Sequence, residues 1–339
     1  MKAVLCQVYG PPESLVLTEV EPLTPGPGQV VIGVKACGVN FPDTLIIEGK
    51  YQFKPALPFS PGGEVAGVVK EIGEGVERVK VGDQIIAFPG WGGFAEEVLA
   101  DAKTVIPLPD GMDFVTASAF VMAYGTSHYA LKDRAKLQPG ETLLVLGAAG
   151  GVGLAAVELG KIMGAHVIAA ASSDEKLAIC REQGADECIN YTNEDLKERI
   201  KSLTAGKGVD VVLDPIGGNY SEAAVRGLAW EGRHLVIGFA AGVIPHIPLN
   251  LSLLKGSSIV GVFWGSFTTR DPQRSQEHLQ ELMTWFLQGK LHPRISATYS
   301  LHRAADALND MLRRKITGKA VLLVGASAQE HELVVSTSS

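Results

Sequence analysis

The chain has 339 residues, of which 46% are hydrophobic and 20% charged, and its formal net charge is −7 at pH 7. Such a composition is typical of a globular protein and excludes overall disorder, while the length favours two domains. The acidic balance argues against a nucleic-acid partner, and the most apolar long stretch, residues 142–157, falls short of a membrane span. Four scattered cysteines exclude a disulfide scaffold, and the N-terminus shows no leader pattern, so we expect a cytoplasmic protein.

The first 110 residues contain short β-rich runs separated by glycine and proline turns. The runs predict strands at 30–36, 65–72, 84–88 and 94–99. A short helix is predicted after Asn40, with Pro42 near its start. This pattern indicates a small, twisted barrel or sandwich.

Strands and helices alternate from residue 142 onward. Strands are predicted at 142–146, 166–171, 187–190, 209–213, 233–238 and 259–263, and helices at 151–163, 174–183, 194–203 and 219–230. Two helices at 276–288 and 304–314 and a strand at 320–324 close the chain, followed by a polar tail, 326–339, that we expect to fray. Strands separated by helices predict βαβ units with a parallel sheet. We therefore predict an α/β fold in which a doubly wound sheet is inserted in a barrel-like domain.

The strongest motif is the glycine-rich turn that follows the predicted strand 142–146. A dinucleotide-binding turn needs glycines where the backbone bends, approaches the pyrophosphate and packs against the next helix. Gly150 and Gly153 fill the second and third of these places, while Ala148 stands at the first and departs from the pattern. The predicted pyrophosphate contacts are the residues of this turn: Ala148, Ala149, Gly150, Gly151, Val152 and Gly153.

The end of the next strand predicts which nucleotide binds. An NAD site places Asp or Glu about 20 residues after the first glycine. Here that place holds Ser172 and Ser173, with Lys176 one helical turn later and Tyr191 after the third strand. Hydroxyl groups and a cation suit the 2′-phosphate of NADPH, so we expect NADPH to be the cofactor. Lys176 alone would also be explained as a solvated helix cation.

Several motifs in chain order are similar to those of the medium-chain dehydrogenase/reductase superfamily, and within it to the zinc-independent quinone oxidoreductase family. The motifs are Cys37–Asp43, Gly49–Tyr51, Pro58–Gly67, Val81–Asp83, Tyr124–Thr126, Ala148–Gly153 and Gly318–Lys319. The resemblance implies a Rossmann doubly wound parallel sheet inserted in a GroES-like, β-barrel-type catalytic domain. The implied divisions are 1–122 for the GroES-like domain, 123–265 for the Rossmann domain and 266–339 for the return to the first.

The resemblance also poses the question of zinc. Alcohol dehydrogenases of this superfamily have a cysteine ligand where this chain has Asn40 and a histidine ligand where it has Gly63. Neither residue replaces a zinc ligand well, and no cysteine occurs between Cys37 and Cys180 to form a structural zinc lobe. We therefore predict no metal.

The remaining site residues follow from the resemblance alone. It implies that Asn40 and Tyr51 lie beside the nicotinamide, with Tyr51 as a candidate proton donor, because a phenol is protonated at neutral pH. Without it, Asn40 would be explained as a helix cap and Tyr51 as a loop aromatic. The resemblance further implies cofactor contacts at Thr126, Gly238, Phe239, Ala240, Phe263, Trp264, Gly265 and Lys319.

The expected function is a zinc-independent, NADPH-dependent reductase that transfers hydride to a quinone or an α,β-unsaturated carbonyl. One alternative is an enoyl-thioester (enoyl- or acryloyl-CoA) reductase, which would need basic groups for the CoA phosphates. Another is an NADPH-binding sensor protein with weak catalysis. The apolar, β-rich segment 258–263 would be exposed as a sheet edge, so the expected partner besides the small-molecule substrate is a second copy of the chain, in a homodimer.

Overall fold

The computed structural model describes residues 1–325, so the tail 326–339, predicted to fray, lies outside the described residues. The strands are β1 (Lys2–Leu5), β2 (Val16–Glu19), β3 (Gln29–Val39), β4 (Glu64–Ile72), β5 (Gln84–Ala87), β6 (Glu97–Asp101), β7 (Ile106–Pro107), β8 (Thr142–Leu146), β9 (His166–Ala171), β10 (Glu187–Asn190), β11 (Val209–Asp214), β12 (Leu228–Val236), β13 (Ser258–Gly261), β14 (Ile295–Ser300) and β15 (Lys319–Leu323). The helices are α1 (Phe41–Ile46), α2 (Phe114–Ala117), α3 (Val121–His128), α4 (Gly151–Ile162), α5 (Asp174–Glu182), α6 (Leu196–Leu203), α7 (Asn219–Arg226), α8 (Asn250–Lys255), α9 (Trp264–Arg270), α10 (Pro272–Leu287) and α11 (Ala304–Leu312). A π-helical segment, Tyr129–Ala135, follows α3.

The chain divides into two compact units. Among the described residues, the barrel unit contains Met1–Val121 and 295–325, and the nucleotide unit is Met122–Arg294. The first boundary is within one residue of the predicted division at 122/123. The second lies at 294/295 instead of the expected 265/266, because α9 and α10 pack on the π-helical segment. There the Phe267 ring stacks on Tyr129 at 4.1 Å, and Nε2 of His128 lies 2.8 Å from the Glu281 carboxylate.

The barrel unit contains a sheet in the order β14-β15-β3-β4-β5-β7, with β6 also paired to β3. β3 runs antiparallel to β4, β6 and β15, so this long strand joins the first part of the chain to its return. Ile32, Val65, Ile85 and Phe94 are fully buried in one apolar cluster that supports this sheet. Gly38 on β3 is required for space, because a Cβ there would lie 2.0 Å from the carbonyl oxygen of Ser118.

The nucleotide unit is a six-stranded parallel sheet in the order β10-β9-β8-β11-β12-β13, which confirms the predicted doubly wound topology. The order reverses between β8 and β11, and in such sheets ligands bind outside the carboxyl ends of the strands at this reversal. Residues Leu143 to Leu146 of β8 are fully buried, as expected for a strand covered on both faces. β8 therefore ends, and the glycine-rich turn begins, at the carboxyl edge of the sheet next to this reversal.

The structure corrects some predicted boundaries. The predicted helix 219–230 ends at Arg226, because Gly227 closes it, and β12 begins at Leu228 instead of 233. The predicted strand 94–99 begins only at Glu97. Strands β2, β7 and β14 had no individual prediction. Within residues 1–325, no helix combines the length and the apolar character needed to cross a bilayer.

Candidate functional site

The turn between β8 and α4 uses three glycines for three different reasons. Gly147 directly follows β8 with φ +59°, and a Cβ there would lie 2.4 Å from the Ile216 side chain. A Cβ on Gly153 would lie 2.4 Å from the carbonyl oxygen of Gly147, so this glycine allows close packing of helix and turn. A Cβ on Gly150 would meet only that same oxygen, at 3.4 Å, so the space in front of Gly150 is open. The bend is therefore made by Gly147, one residue before the Ala148 to which the sequence pattern assigned it.

The amino end of α4 offers backbone donors. Gly150 is its N-cap residue and supplies no side-chain cap, so the amides of Gly151, Val152 and Gly153 retain their hydrogen-bonding capacity. These amides and the helix dipole favour an anion at this end. Ala148 and Ala149 are buried, and Ala148 fixes the turn by donating its amide to the carbonyl of Ala170 at 3.0 Å. Of the predicted pyrophosphate contacts, Gly151, Val152 and Gly153 therefore have open backbone donors. Ala148 and Ala149 are buried and support the turn, and Gly150 lies between the two groups.

Polar groups gather at the carboxyl end of β9. The Lys176 ammonium donates to the Ser172 hydroxyl at 3.3 Å, and Ser173 caps α5 by accepting the Lys176 amide at 3.4 Å. The Tyr191 amide donates to Ala171 at 3.2 Å, which brings Tyr191 to the same strand end. Asp174, the nearest acid in sequence, is an acceptor for the Asn190 side chain at 2.9 Å. The four residues predicted for the 2′-phosphate therefore lie on adjacent segments, and Asp174 is engaged elsewhere.

The other predicted cofactor contacts of the nucleotide unit lie on two segments. Gly238, Phe239 and Ala240 follow β12, and the Ala240 amide donates to the carbonyl of Pro215 at 3.1 Å. Phe263 and Trp264 stand at the start of α9, which also contains Gly265. Gly125 allows Trp264 to lie against α3 beside Thr126, because a Cβ on Gly125 would be 2.8 Å from the indole.

The barrel unit holds a buried polar cluster, here called the Lys319 cluster, made of Asn40, Glu64 and Lys319. The Lys319 ammonium donates to Asn40 Oδ1, to Glu64 Oε2 at 3.3 Å and to the Val39 carbonyl at 3.3 Å. The Asn40 amide nitrogen donates to Glu64 Oε2 at 3.1 Å and to Gly38 at 3.3 Å. All three N–H donors of Lys319 are therefore used inside this unit, and the cofactor contact predicted for Lys319 stays a prediction.

Asp43 connects this cluster to the turn before β4. Its carboxylate accepts the backbone amides of Asn40 at 2.7 Å and Gly62 at 3.1 Å. Burial raises the pKa of Asp43 to about 6, against the opposing effect of these two hydrogen bonds and of the Lys319 charge. Tyr51 is half-buried, with its ring edge-on to Phe53 at 5.9 Å. Burial, and secondly the Asp43 charge, raise the pKa of Tyr51, which keeps the phenol protonated at neutral pH.

Two known protein families match parts of this chain. Residues 26–110 match the family described as alcohol dehydrogenase GroES-like domain, and residues 151–287 match the family described as zinc-binding dehydrogenase. A quinone oxidoreductase-like protein 2 homolog from Nematostella vectensis is 41% identical over 95% of this chain and 88% of its own length. The chain belongs to the quinone oxidoreductase-like family of the medium-chain dehydrogenase/reductase superfamily.

Solved structures of this superfamily show the same fold. A probable oxidoreductase from Mycobacterium abscessus is 40% identical with a TM-score of 0.86, and the match covers 96% of this chain and 99% of that one. Escherichia coli quinone oxidoreductase, complexed with NADPH, is 29% identical with a TM-score of 0.90, over 96% of this chain and 100% of that one. The Rossmann and GroES-like parts predicted from the sequence are thereby confirmed.

One of the matched families is described as zinc-binding dehydrogenase, but the side chains of this member differ from a zinc donor set. Catalytic zinc takes about three Cys, His or carboxylate ligands. Asn40 and Gly63 offer neither thiolate nor imidazole, and the Glu64 carboxylate already faces the Lys319 ammonium. Among residues 1–325, no group of three or more His, Cys, Asp and Glu side chains is arranged to hold a metal ion. The residues present therefore do not fit zinc.

Residues outside the predicted set also shape the site. Gly147, Asp43 and Glu64 hold positions on which the predicted residues depend, yet none was singled out as a site residue. Gly147 had a sequence signal, since it is the first residue after the apolar strand. Asp43 had a local signal, since it is the third residue after the helix N-cap Asn40 and accepts its amide. Glu64 had none, because its role comes from contacts with Asn40 and Lys319, which are distant in sequence.

Asp43 should give the protein a measurable pH dependence of stability. Its pKa of about 6 lies above its usual value of 3.8, so the folded state binds the proton more tightly than the unfolded state. The contribution of Asp43 is then fullest below about pH 4 and is lost as the pH rises through 6, by about 3 kcal/mol in all. We expect Asp43→Asn to lack this loss, so that its free energy of unfolding improves relative to the parent between about pH 4 and 7.

Urea unfolding at a series of pH values measures this difference. Asp110→Asn, a change to an exposed carboxylate, is the control and should run parallel to the parent. Parallel curves for Asp43→Asn as well would show that the buried Asp43 carboxyl is not destabilised by ionisation.

Proposed function

We propose that the protein is a zinc-independent, NADPH-dependent reductase that transfers hydride to a quinone or an α,β-unsaturated carbonyl. The observation that carries the proposal is the pair of anion sites in the nucleotide unit: the uncapped amides of α4 and the Ser172–Lys176 group at the end of β9. An acid that would bind a ribose 2′-OH is replaced there by hydroxyls and an ammonium. The NADPH complex of the related E. coli quinone oxidoreductase supports this choice of nucleotide.

In the proposed reaction, the cofactor supplies the chemistry and the protein binds and orients the cofactor. When bound, the reduced nicotinamide supplies the hydride. The open amides of Gly151, Val152 and Gly153 bind the pyrophosphate, and the Lys176 ammonium neutralises the 2′-phosphate. The segments that contain Thr126, Gly238–Ala240 and Phe263–Gly265 orient the nicotinamide. These residues fix the geometry and so lower the entropic cost of hydride transfer.

The substrate needs one proton in addition to the hydride. Reduction of a quinone or enone places two electrons on the acceptor, and the negative charge that develops on its oxygen must be neutralised. The Tyr51 phenol, kept protonated by its raised pKa, is the candidate donor, and water is the alternative. We propose that Asn40 contributes a fixed dipole held by Lys319 and Glu64.

The direct test is oxidation of NADPH, followed by its absorbance, with a panel of quinones, enones and short enoyl-CoA thioesters. Rapid turnover with quinones or enones supports the proposal. Turnover confined to enoyl-CoA thioesters would assign the protein to thioester reduction. Tight NADPH binding without turnover on any acceptor would indicate a sensor protein.

Lys176 should determine the choice of nucleotide. Lys176→Ala removes a charge-assisted contact to the 2′-phosphate, so kcat/KM for NADPH should fall by about tenfold or more. The value for NADH should stay within about twofold, because NADH lacks that phosphate. Lys197→Ala, a change to an exposed lysine of α6, is the matched control. An equal loss with both nucleotides would contradict the assignment of Lys176.

Tyr51→Phe tests the proton donor. The change keeps the ring and removes the hydroxyl, so kcat should fall by about a hundredfold while KM for NADPH changes little. Tyr9→Phe is the control, since the Tyr9 ring packs on nearby Gly49. An unchanged kcat for Tyr51→Phe with every acceptor would assign protonation to water.

We also propose a homodimer formed through the edge of the nucleotide sheet. β13 is the edge strand, and beside it lies an exposed apolar surface. Trp230 is 71% exposed, Leu249 79%, Leu253 81% and Leu254 69%, values that are unusual for large apolar side chains of a monomer. A second copy of the chain that adds its own edge strand would cover them.

A charge within this apolar surface should break the dimer. We expect Leu253→Asp to convert the protein to a monomer in size-exclusion chromatography with light scattering, because the carboxylate would be desolvated at the interface. Leu312→Asp, at an exposed position of the barrel unit, should leave the mass unchanged. A parent protein that is monomeric at all tested concentrations would refute this interface.

A further inference from the structure

Asp214, the last residue of β11, is a buried carboxylate with four partners. Its Oδ1 accepts the backbone amides of Ile216 at 2.8 Å and Gly217 at 2.9 Å. Its Oδ2 accepts the Ser221 hydroxyl and lies 3.1 Å from Nε2 of His234 on β12. Burial raises the pKa of Asp214, but the hydrogen bond and charge of His234 and the other donors lower it further, so the net shift is downward. A carboxylate with four hydrogen-bond partners fixes the positions of the groups around it.

The partners of Asp214 belong to two loops that are joined to each other. Residues 215–218 follow β11, and residues 237–243 follow β12. The carbonyl of Asp214 accepts the amide of Ile237 at 3.0 Å. Further along, the carbonyl of Ile216 accepts the amide of Ala241 at 2.8 Å, and the Gly218 amide donates to the carbonyl of Val243 at 3.0 Å. The two loops therefore form one surface, here called the Asp214 platform, at the carboxyl edge of the sheet.

Close packing makes the platform sensitive to the position of each loop. Gly217 has φ +71°, and a Cβ there would lie 2.9 Å from the Phe239 ring. A shift of the first loop would thus displace the segment that carries Gly238, Phe239 and Ala240. Asp214 holds the backbone of the first loop directly, so its side chain controls the contact.

His234 reaches the same carboxylate from the strand that leads into the second loop. The side chain is buried, and within the described part of the chain its Nδ1 atom has no hydrogen-bond partner. Its polar contact is therefore Asp214, through Nε2. The two residues connect β11 to β12 at the level where both loops begin.

We propose that Asp214 and His234 are positioning residues that hold the Asp214 platform in the conformation in which Gly238–Ala240 receives the nicotinamide half of the cofactor. The inference rests on the proposed function, because it assumes that a nicotinamide nucleotide binds this unit. Neither residue contacts the adenosine half, whose candidate site lies at the end of β9. Loosening the platform would add an ordering cost to binding of the nicotinamide half alone.

Binding of two ligands separates this role from a general loss of structure. NADPH contains both halves of the nucleotide, whereas 2′,5′-ADP contains only the adenosine half with its 2′-phosphate. Affinities for both are measured by calorimetry for the parent and for Asp214→Asn, His234→Phe and His234→Gln. Asp214→Asn and His234→Phe should bind NADPH about tenfold more weakly, and 2′,5′-ADP within about twofold of the parent. His234→Gln, whose amide can still donate to Asp214, should recover most of the affinity for NADPH.

Glu141→Gln is the matched control. Glu141 pairs with Arg233, the neighbour of His234 on β12, at 2.7 Å, but it precedes β8 at the opposite edge of the sheet. This variant should bind both ligands like the parent. If Asp214→Asn does not fold, the two His234 variants decide the question.

Three outcomes would overturn the proposal. Equal weakening of both ligands in the His234→Phe variant would show a purely structural role, and unchanged NADPH affinity would show that the platform is not needed. Failure of His234→Gln to recover more than His234→Phe would exclude the hydrogen bond to Asp214 as the cause. A parent protein that binds neither ligand would refute the proposed function itself, and this result is distinct from a defect confined to the variants.

Discussion

The candidate site in the nucleotide unit depends on one constraint. A buried strand, β8, is joined by a short turn to a helix, α4, whose first amides have no side-chain cap. β8 cannot shift, because all of its residues from Leu143 to Leu146 are buried. Gly147 turns the chain, and α4 then begins without a side chain over its first amides. Open N–H groups at a helix terminus need a partner, and an anionic phosphate satisfies both their hydrogen-bonding capacity and the helix dipole. Other predicted cofactor contacts of this unit follow β9 and β12 or lie at the start of α9.

In the barrel unit, a buried ammonium contacts Asn40, one of the two residues that stand where the resemblance to alcohol dehydrogenases implies zinc ligands. Here the Lys319 ammonium lies between Asn40, Glu64 and a backbone carbonyl, so a single fixed positive charge is balanced by a buried carboxylate. Such a charge cannot act as a Lewis acid, but it orients the Asn40 amide. The chemistry proposed for this protein accordingly relies on a hydride donor and a phenol.

Much of the fold was predictable because its signals are local. Alternating apolar runs and helical patterns predicted the order of the nucleotide unit, and glycine spacing located the turn between β8 and α4. Trp230 was assigned to a helix because its neighbourhood has helical character, but Gly227 ends the helix and tertiary pairing with β11 extends β12. The position of the second unit boundary depends on side-chain packing of α9 and α10, which has no sequence signature.

The polar clusters were the least predictable part of the site. Asn40 and Lys319 are 279 positions apart in sequence, and only the pairing of β3 with β15 brings them together. Asp214 follows the predicted strand 209–213 and His234 lies in the predicted strand 233–238, and nothing in their sequence context indicates that their side chains meet. Resemblance to a family predicted that Asn40 is functional, but it gave no indication of the partners that hold its side chain.

Calorimetric titration of NADPH into the parent protein and into a Gly150→Val variant tests the central claim most directly. Gly150 has an ordinary backbone conformation, and its Cβ position is open, so the variant should fold with an unchanged Tm. The account predicts measurable binding to the parent and an affinity at least about tenfold lower in the variant, because the new side chain occupies the place of the pyrophosphate. Equal binding by both proteins, or no heat with the parent, would contradict it.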